Sequence, residues 1–138
     1  MNKMDNKTLI NIFAIPFSLR LGATLAFQIV SLLLILSKLV SHQVLLVTGL
    51  IFINLIYALI YAYTGYRTVS KFSMSILQGA GVAAGTGFLA AVFLNSNQSN
   101  FEIILLNEVV VAFICGVVGA YSTKFLVKKN SENIEVKK

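Results

Sequence analysis

Glu108 stands between the apolar runs IILLN and VVVAFICGVVGA, with no second carboxylate close by in the run that follows. A carboxyl surrounded by residues of this kind is costly to hold away from water and is a functional candidate by default. Asn54, Tyr57, Tyr61, Thr64 and Thr68 recur at steps of three and four, so they share one face of a helix. Gln28 and Gln78 are the further amides in apolar surroundings. Read together, Glu108, Asn54, Gln28, Tyr61 and Gln78 make a candidate file for an ion or a proton.

Each of these residues also has a simpler role. Asn and Gln between apolar helices act as hydrogen-bonding glue worth about 0.6 kcal/mol each, which is the role expected of Gln28, Asn54 and Gln78. Tyrosines massed near the end of a span are interface anchors. For Glu108 the expected role is a structural ion pair with Lys38 or His42. Cys115 reads as a small packing residue. Catalysis asks for a nucleophile with its base, paired carboxylates or a metal cluster. One His and one Cys supply none of these, so no enzyme, no metal and no cofactor is expected.

The elements that position these residues follow from composition. Of 138 residues 57% are hydrophobic and 12% charged, with a mean hydropathy of +0.84. Soluble domains carry about 25% charged residues. The deficit excludes an ordinary water-soluble domain and a disordered chain. The basic residues are scattered over separate segments, so no nucleic-acid partner is expected either. What remains is an all-α, polytopic protein of the cell membrane, with the lipid bilayer as its first partner.

A spanning helix needs about 20 apolar residues. Windows poor in charge predict four, at about 17–38, 43–66, 72–94 and 101–123, arranged as two hairpins in one domain over 1–127. Pro16 is expected to open the first span, with Arg20 and Lys38 reaching the headgroups from its ends. The fourth is the informative case. Only 15 uncharged residues run from Val109 to Thr123, about 22 Å of helix and too short to cross. Starting at Phe101 solves the length and places Glu108 inside the span. Running from Val109 to Val127 instead leaves Glu108 at the interface, but FEIILL before it is too apolar for a solvated loop and favours the first. Residues 5–15 form a short amphipathic stretch suited to lying in the interface, and 128–138 read as a disordered polar tail.

Small residues recur at intervals of four in the last two spans: Gly81–Gly85, Ala83–Gly87 and Gly87–Ala91, then Ala112–Gly116–Ala120. Such ladders let helix backbones approach closely. Gly81, Gly85, Gly87, Ala112, Gly116 and Ala120 are therefore the expected packing residues, joining spans three and four to each other or to a second copy.

Four spans put both termini on one side. Lys3, Lys7, Arg20, Arg67, Lys71, Lys124, Lys128, Lys129, Lys137 and Lys138 fall there, against Lys38 opposite. The positive-inside rule makes both termini cytoplasmic. A bias this large disfavours a chain that inserts both ways. The functional expectation is a non-catalytic membrane subunit or scaffold, packing as a homo-oligomer or within a larger membrane complex. A small ion or solute transporter using Glu108 is the alternative, and a holin-like permeabilising protein a third reading. Reporter fusions at residue 138 and within 67–71 are expected to report cytoplasm, and fusions within 95–100 the opposite side. An external signal from the C-terminal fusion would break the four-span topology.

Overall fold

The computed structural model describes the backbone of residues 6–37 and 41–135, with side chains up to residue 125 except at 6, 7, 9, 42 and 46. Four helices make up the described chain: α1 (Asn6–Leu36), α2 (His42–Phe72), α3 (Ile76–Asn95) and α4 (Phe101–Glu135). Each contains a stretch long and apolar enough to cross a membrane. Four such helices suggest a multi-pass membrane protein.

Local chemistry explains where the helices begin and end. Ser75 and Gln78 form a reciprocal cap on α3: the Gln78 amide donates to Ser75 Oγ at 3.2 Å, and the Ser75 amide donates to Gln78 Oε1 at 2.9 Å. Two amides left without a helical acceptor are satisfied this way. Before it, α2 stops at Ser73, whose left-handed backbone (φ 52°, ψ 34°) reverses the chain. The polar run Asn95–Asn100 breaks the helix between α3 and α4.

Three sequence expectations change here. Residues 6–15 are not a separate interfacial helix but the first turns of α1, with Ile12 and Pro16 buried against the bundle. Pro16 therefore lies well inside the helix and does not open it. The residue lacks an N–H and its ring crowds the Ile12 carbonyl, yet α1 runs through it without a break. At the other end, α4 stays helical through Glu135, so most of the stretch read as a disordered tail continues the helix. Nothing from Ala120 onwards is Gly or Pro, and no residue type there forces a stop.

Small residues bring α4 against both α2 and α3, although only some of those expected take part. Ala112, Gly116 and Ala120 are buried, as are Ala80, Ala83 and Gly87 facing them. A Cβ on Gly116 would sit 2.6 Å from Ala83 Cβ and 3.1 Å from Ala80 Cα. One on Gly87 would sit 2.8 Å from Ala112 Cβ. Gly81, in contrast, faces open space, and Gly85 meets the ring of Phe13 from α1. The Gly81–Gly85 step points away from α4 because the buried face of α3 carries Gly79, Ala83, Thr86 and Gly87.

The closest approach joins α2 to α4, a pairing the ladders did not indicate. A Cβ on Gly65 would overlap the Gly116 carbonyl, and one on Gly119 the Ala62 carbonyl. These positions have no room for any side chain. Gly65→Ala and Gly119→Ala are each expected to destabilise the protein by about 1–3 kcal/mol through overpacking, read as a lowered melting temperature in detergent. Gly81→Ala is expected to leave it unchanged. Equal melting temperatures for all three variants would contradict the crossing.

Candidate functional site

The site begins with Arg20, in the middle of α1. Apolar sequence flanks it on both sides, within the span-length stretch Ile10–Leu36. Its residue is 3% exposed. A guanidinium removed from water must find both a counter-charge and acceptors for its N–H groups. Glu108 of α4 is the counter-charge. Arg20 Nη2 and Nε donate to Glu108 Oε1 at 2.8 and 3.1 Å, and the Glu108 side chain is 15% exposed.

Two pairs at helical spacing complete the arrangement. Arg20 and Thr24 are four apart on α1, and Tyr57 and Tyr61 are four apart on α2, so each pair projects from one face. Tyr61 donates to Glu108 Oε1 through a short hydrogen bond, and Arg20 Nε also lies 3.2 Å from the Tyr61 oxygen. Arg20 Nη1 donates to Thr24 Oγ1, which in turn lies 3.0 Å from the Tyr57 hydroxyl. The guanidinium carbon rests 3.1 Å from the centroid of the Tyr57 ring, adding a cation–π contact. Below the cluster, Tyr61 packs with Ala83 and Ala112, and Tyr57 and Cys115 lie against them.

Of the expected file, Glu108 and Tyr61 meet and the others stay apart. Gln28 is exposed. Asn54 is exposed too and donates back to the Leu50 carbonyl of its own helix at 2.7 Å. Gln78 is occupied in the α3 cap. Thr64 and Thr68 donate to the carbonyls of Ile60 and Thr64, both at 2.7 Å. Short polar side chains on a helix readily satisfy themselves on the preceding turn, so a shared face does not make a continuous path.

Of the expected ion-pair partners of Glu108, Lys38 and the His42 side chain lie outside the described residues; among the described residues the carboxylate pairs with Arg20. A charge beside an apolar window marks the end of a span, which sends Arg20 to the headgroups; in the fold it is buried instead. The contrary signal was present: Thr8 to Leu19 is uncharged, so Arg20 interrupts a longer apolar run. The matching Arg20/Thr24 and Tyr57/Tyr61 spacings were a second clue.

The cluster is chemically closed on one side and open on the other. Among the described residues, no fully buried side-chain nitrogen or oxygen lacks a partner. All three protein hydrogen bonds to Glu108 fall on Oε1, leaving Oε2 without a partner among those residues. The backbones of α1 and α4 do not approach each other within the described residues, so the long Arg20 side chain has to reach across to Glu108.

Comparison with known proteins identifies no relative: no family model, no curated protein and no solved structure matches the chain.

Removing one partner of a buried ion pair strands the other charge and costs about 3–5 kcal/mol. Arg20→Met and Glu108→Gln are each expected to lower stability by about that amount. The double variant is expected to lose less than the sum, with a coupling above about 1 kcal/mol. Denaturation of the purified proteins in one detergent measures all four corners. Additive losses would show that the pair carries no energy of its own.

Proposed function

We propose that this chain is a non-catalytic subunit or scaffold of the cell membrane, with both termini cytoplasmic, which packs with itself or a partner through its first hairpin. The observation that carries the reading is the unequal reach of the two hairpins. The backbone contact of Gly65 with Gly116 fixes a common level for α2 and α4. From there α2 runs back to His42, about 34 Å at 1.5 Å per residue, while α4 runs back to Phe101, about 22 Å. Gly85 against the Phe13 ring sets a level for α3 and α1. Beyond it α3 runs about 15 Å to Asn95, and α1 about 34 Å to Leu36.

The first hairpin thus extends on the order of 10–20 Å past the polar turn Asn95–Asn100, by the rise of a helix. Its far part is apolar and bare: Leu32, Leu33, Leu36, Val47, Ile51 and Phe52 are all exposed. A groove of about 490 Å³ there is lined by α1 and α2 alone, including Phe27, Val30, Leu34, Gly49 and Phe52. A bilayer matched to α3, about 30 Å long, leaves this surface beyond the hydrocarbon. A bilayer matched to α1 and α2 draws the polar turn and its backbone groups into lipid, at several kcal/mol for each unsatisfied group. A neighbouring protein segment relieves both conflicts.

Arg20 fits this reading as a fastening that holds α1 to the rest of the bundle. A small transporter is the second reading, favoured by the unoccupied Oε2 of Glu108. Photo-cross-linking residues at Leu33 and Val47 in native membranes are expected to join the chain to a second copy or another membrane protein, while Val118, equally exposed on α4, labels lipid. If Leu33 and Val47 also label lipid alone, and liposomes show an ion flux that Glu108→Gln abolishes, the transport reading replaces the scaffold.

A further inference from the structure

Two arginines are buried in the described chain, and they are satisfied in different ways. Arg20 has Glu108. Arg67, in the last turns of α2 and 8% exposed, has no carboxylate within ion-pair reach among the described residues. Its Nη1 donates to the Asn11 carbonyl of α1 at 3.3 Å, and its Cζ lies 5.3 Å from the centroid of the Phe72 ring. One long neutral hydrogen bond and one distant ring are weak compensation for a guanidinium with five N–H donors. Among the described residues no fully buried side-chain nitrogen lacks a partner, and the 8% of Arg67 that stays exposed leaves part of the guanidinium accessible.

We propose that Arg67 is the recognition residue of a phosphate-binding site whose ligand is the phosphodiester of an anionic phospholipid. The planar guanidinium fork matches two phosphate oxygens and is less strongly hydrated than an ammonium, which suits a partly buried position. Depth selects the lipid over a dissolved anion. Arg67 lies about 7 Å along the helix from the end of α2, within reach of headgroup phosphates when Phe72 marks the membrane edge. Lys71, exposed one turn further on, adds attraction for an anionic leaflet without occupying the site. The Asn11 carbonyl and the Phe72 ring hold the guanidinium from the protein side. This inference rests on the membrane reading and is independent of what packs on the first hairpin.

The test uses the full chain, stripped of lipid in a neutral detergent, and follows melting temperature and retained lipid by native mass spectrometry. Phosphatidylglycerol, phosphatidylcholine and inorganic phosphate are the three probes. Wild type is expected to gain stability with phosphatidylglycerol and to retain it in preference to phosphatidylcholine. Arg67→Met is expected to weaken that retention by about tenfold or more, the loss of a charge-assisted contact. Lys71→Met is expected to keep most of it. Arg67→Lys preserves the charge without the fork, folds if the methionine variant does not, and is expected to fall between. Stabilisation by inorganic phosphate to the same extent, with no gain from the lipid, would keep the phosphate chemistry but overturn the lipid as its source. Unchanged phosphatidylglycerol retention in Arg67→Met, or in Arg67→Lys when Met fails to fold, would overturn the site. So would equal destabilisation by Arg67→Met and Asp5→Asn without lipid, since a chain carboxylate would then hold the open edge. A chain that never enters liposomes would remove the membrane reading itself, whatever Arg67 does.

Discussion

A guanidinium and a carboxylate set among apolar helices leave the chain few ways to arrange itself. Either group alone is prohibitively expensive to bury, whereas together and hydrogen-bonded they become tolerable. Arg20 and Glu108 belong to helices whose backbones do not touch in the described structure. The bundle must therefore place α2 so that Tyr57 and Tyr61 line the gap between them. Arg20 crosses that gap with its long side chain, stacked on one tyrosine and sharing the carboxylate with the other. This pair and the apolar contacts of Phe13 and Phe17 with α3 together set the position of α1 along the bundle.

Close packing of the other three helices makes the pair possible. Gly65, Gly116 and Gly119 allow the α2 and α4 backbones to meet directly, and Ala80, Ala83 and Gly87 do the same for α3 on α4. Apolar side chains gain little by leaving lipid for each other, so helix association depends on close contact and on polar links. This protein uses both, in different places. Backbone contact through small residues joins α2, α3 and α4. Polar links fasten α1, whose buried positions include Ile12, Pro16 and Arg20.

The same contrast separates the two buried arginines. Arg20 is neutralised by its own chain and serves cohesion. Arg67 is held by the Asn11 carbonyl and the Phe72 ring near the C-terminal end of α2, with no carboxylate within ion-pair reach among the described residues. The unequal hairpins repeat the pattern at a larger scale. The inner part of the bundle is filled by its own small residues, while the far part of α1 and α2 presents leucine, valine and phenylalanine that stay exposed among the described residues.

Composition and the spacing of charges were sufficient to read four apolar helices and a fourth span beginning at Phe101, because length against bilayer thickness is a property of local sequence. The α4 ladder Ala112–Gly116–Ala120 was legible for the same reason, as a periodicity within one helix. Which helix it meets was not: Gly65 and Ala62 lie in a leucine- and tyrosine-rich span with no ladder of their own, and Gly81 belongs to a ladder yet faces open space. Glu108 stood out by type and surroundings, but its partner did not. Lys38 and His42 follow from topology, which puts them on the same side as the start of the fourth span. Only the tertiary structure brings the Arg20 guanidinium onto the Glu108 carboxylate. A charge next to an apolar run reads the same in sequence whether it ends a span or lies within one. The choice depends on whether another helix supplies the opposite charge at that depth.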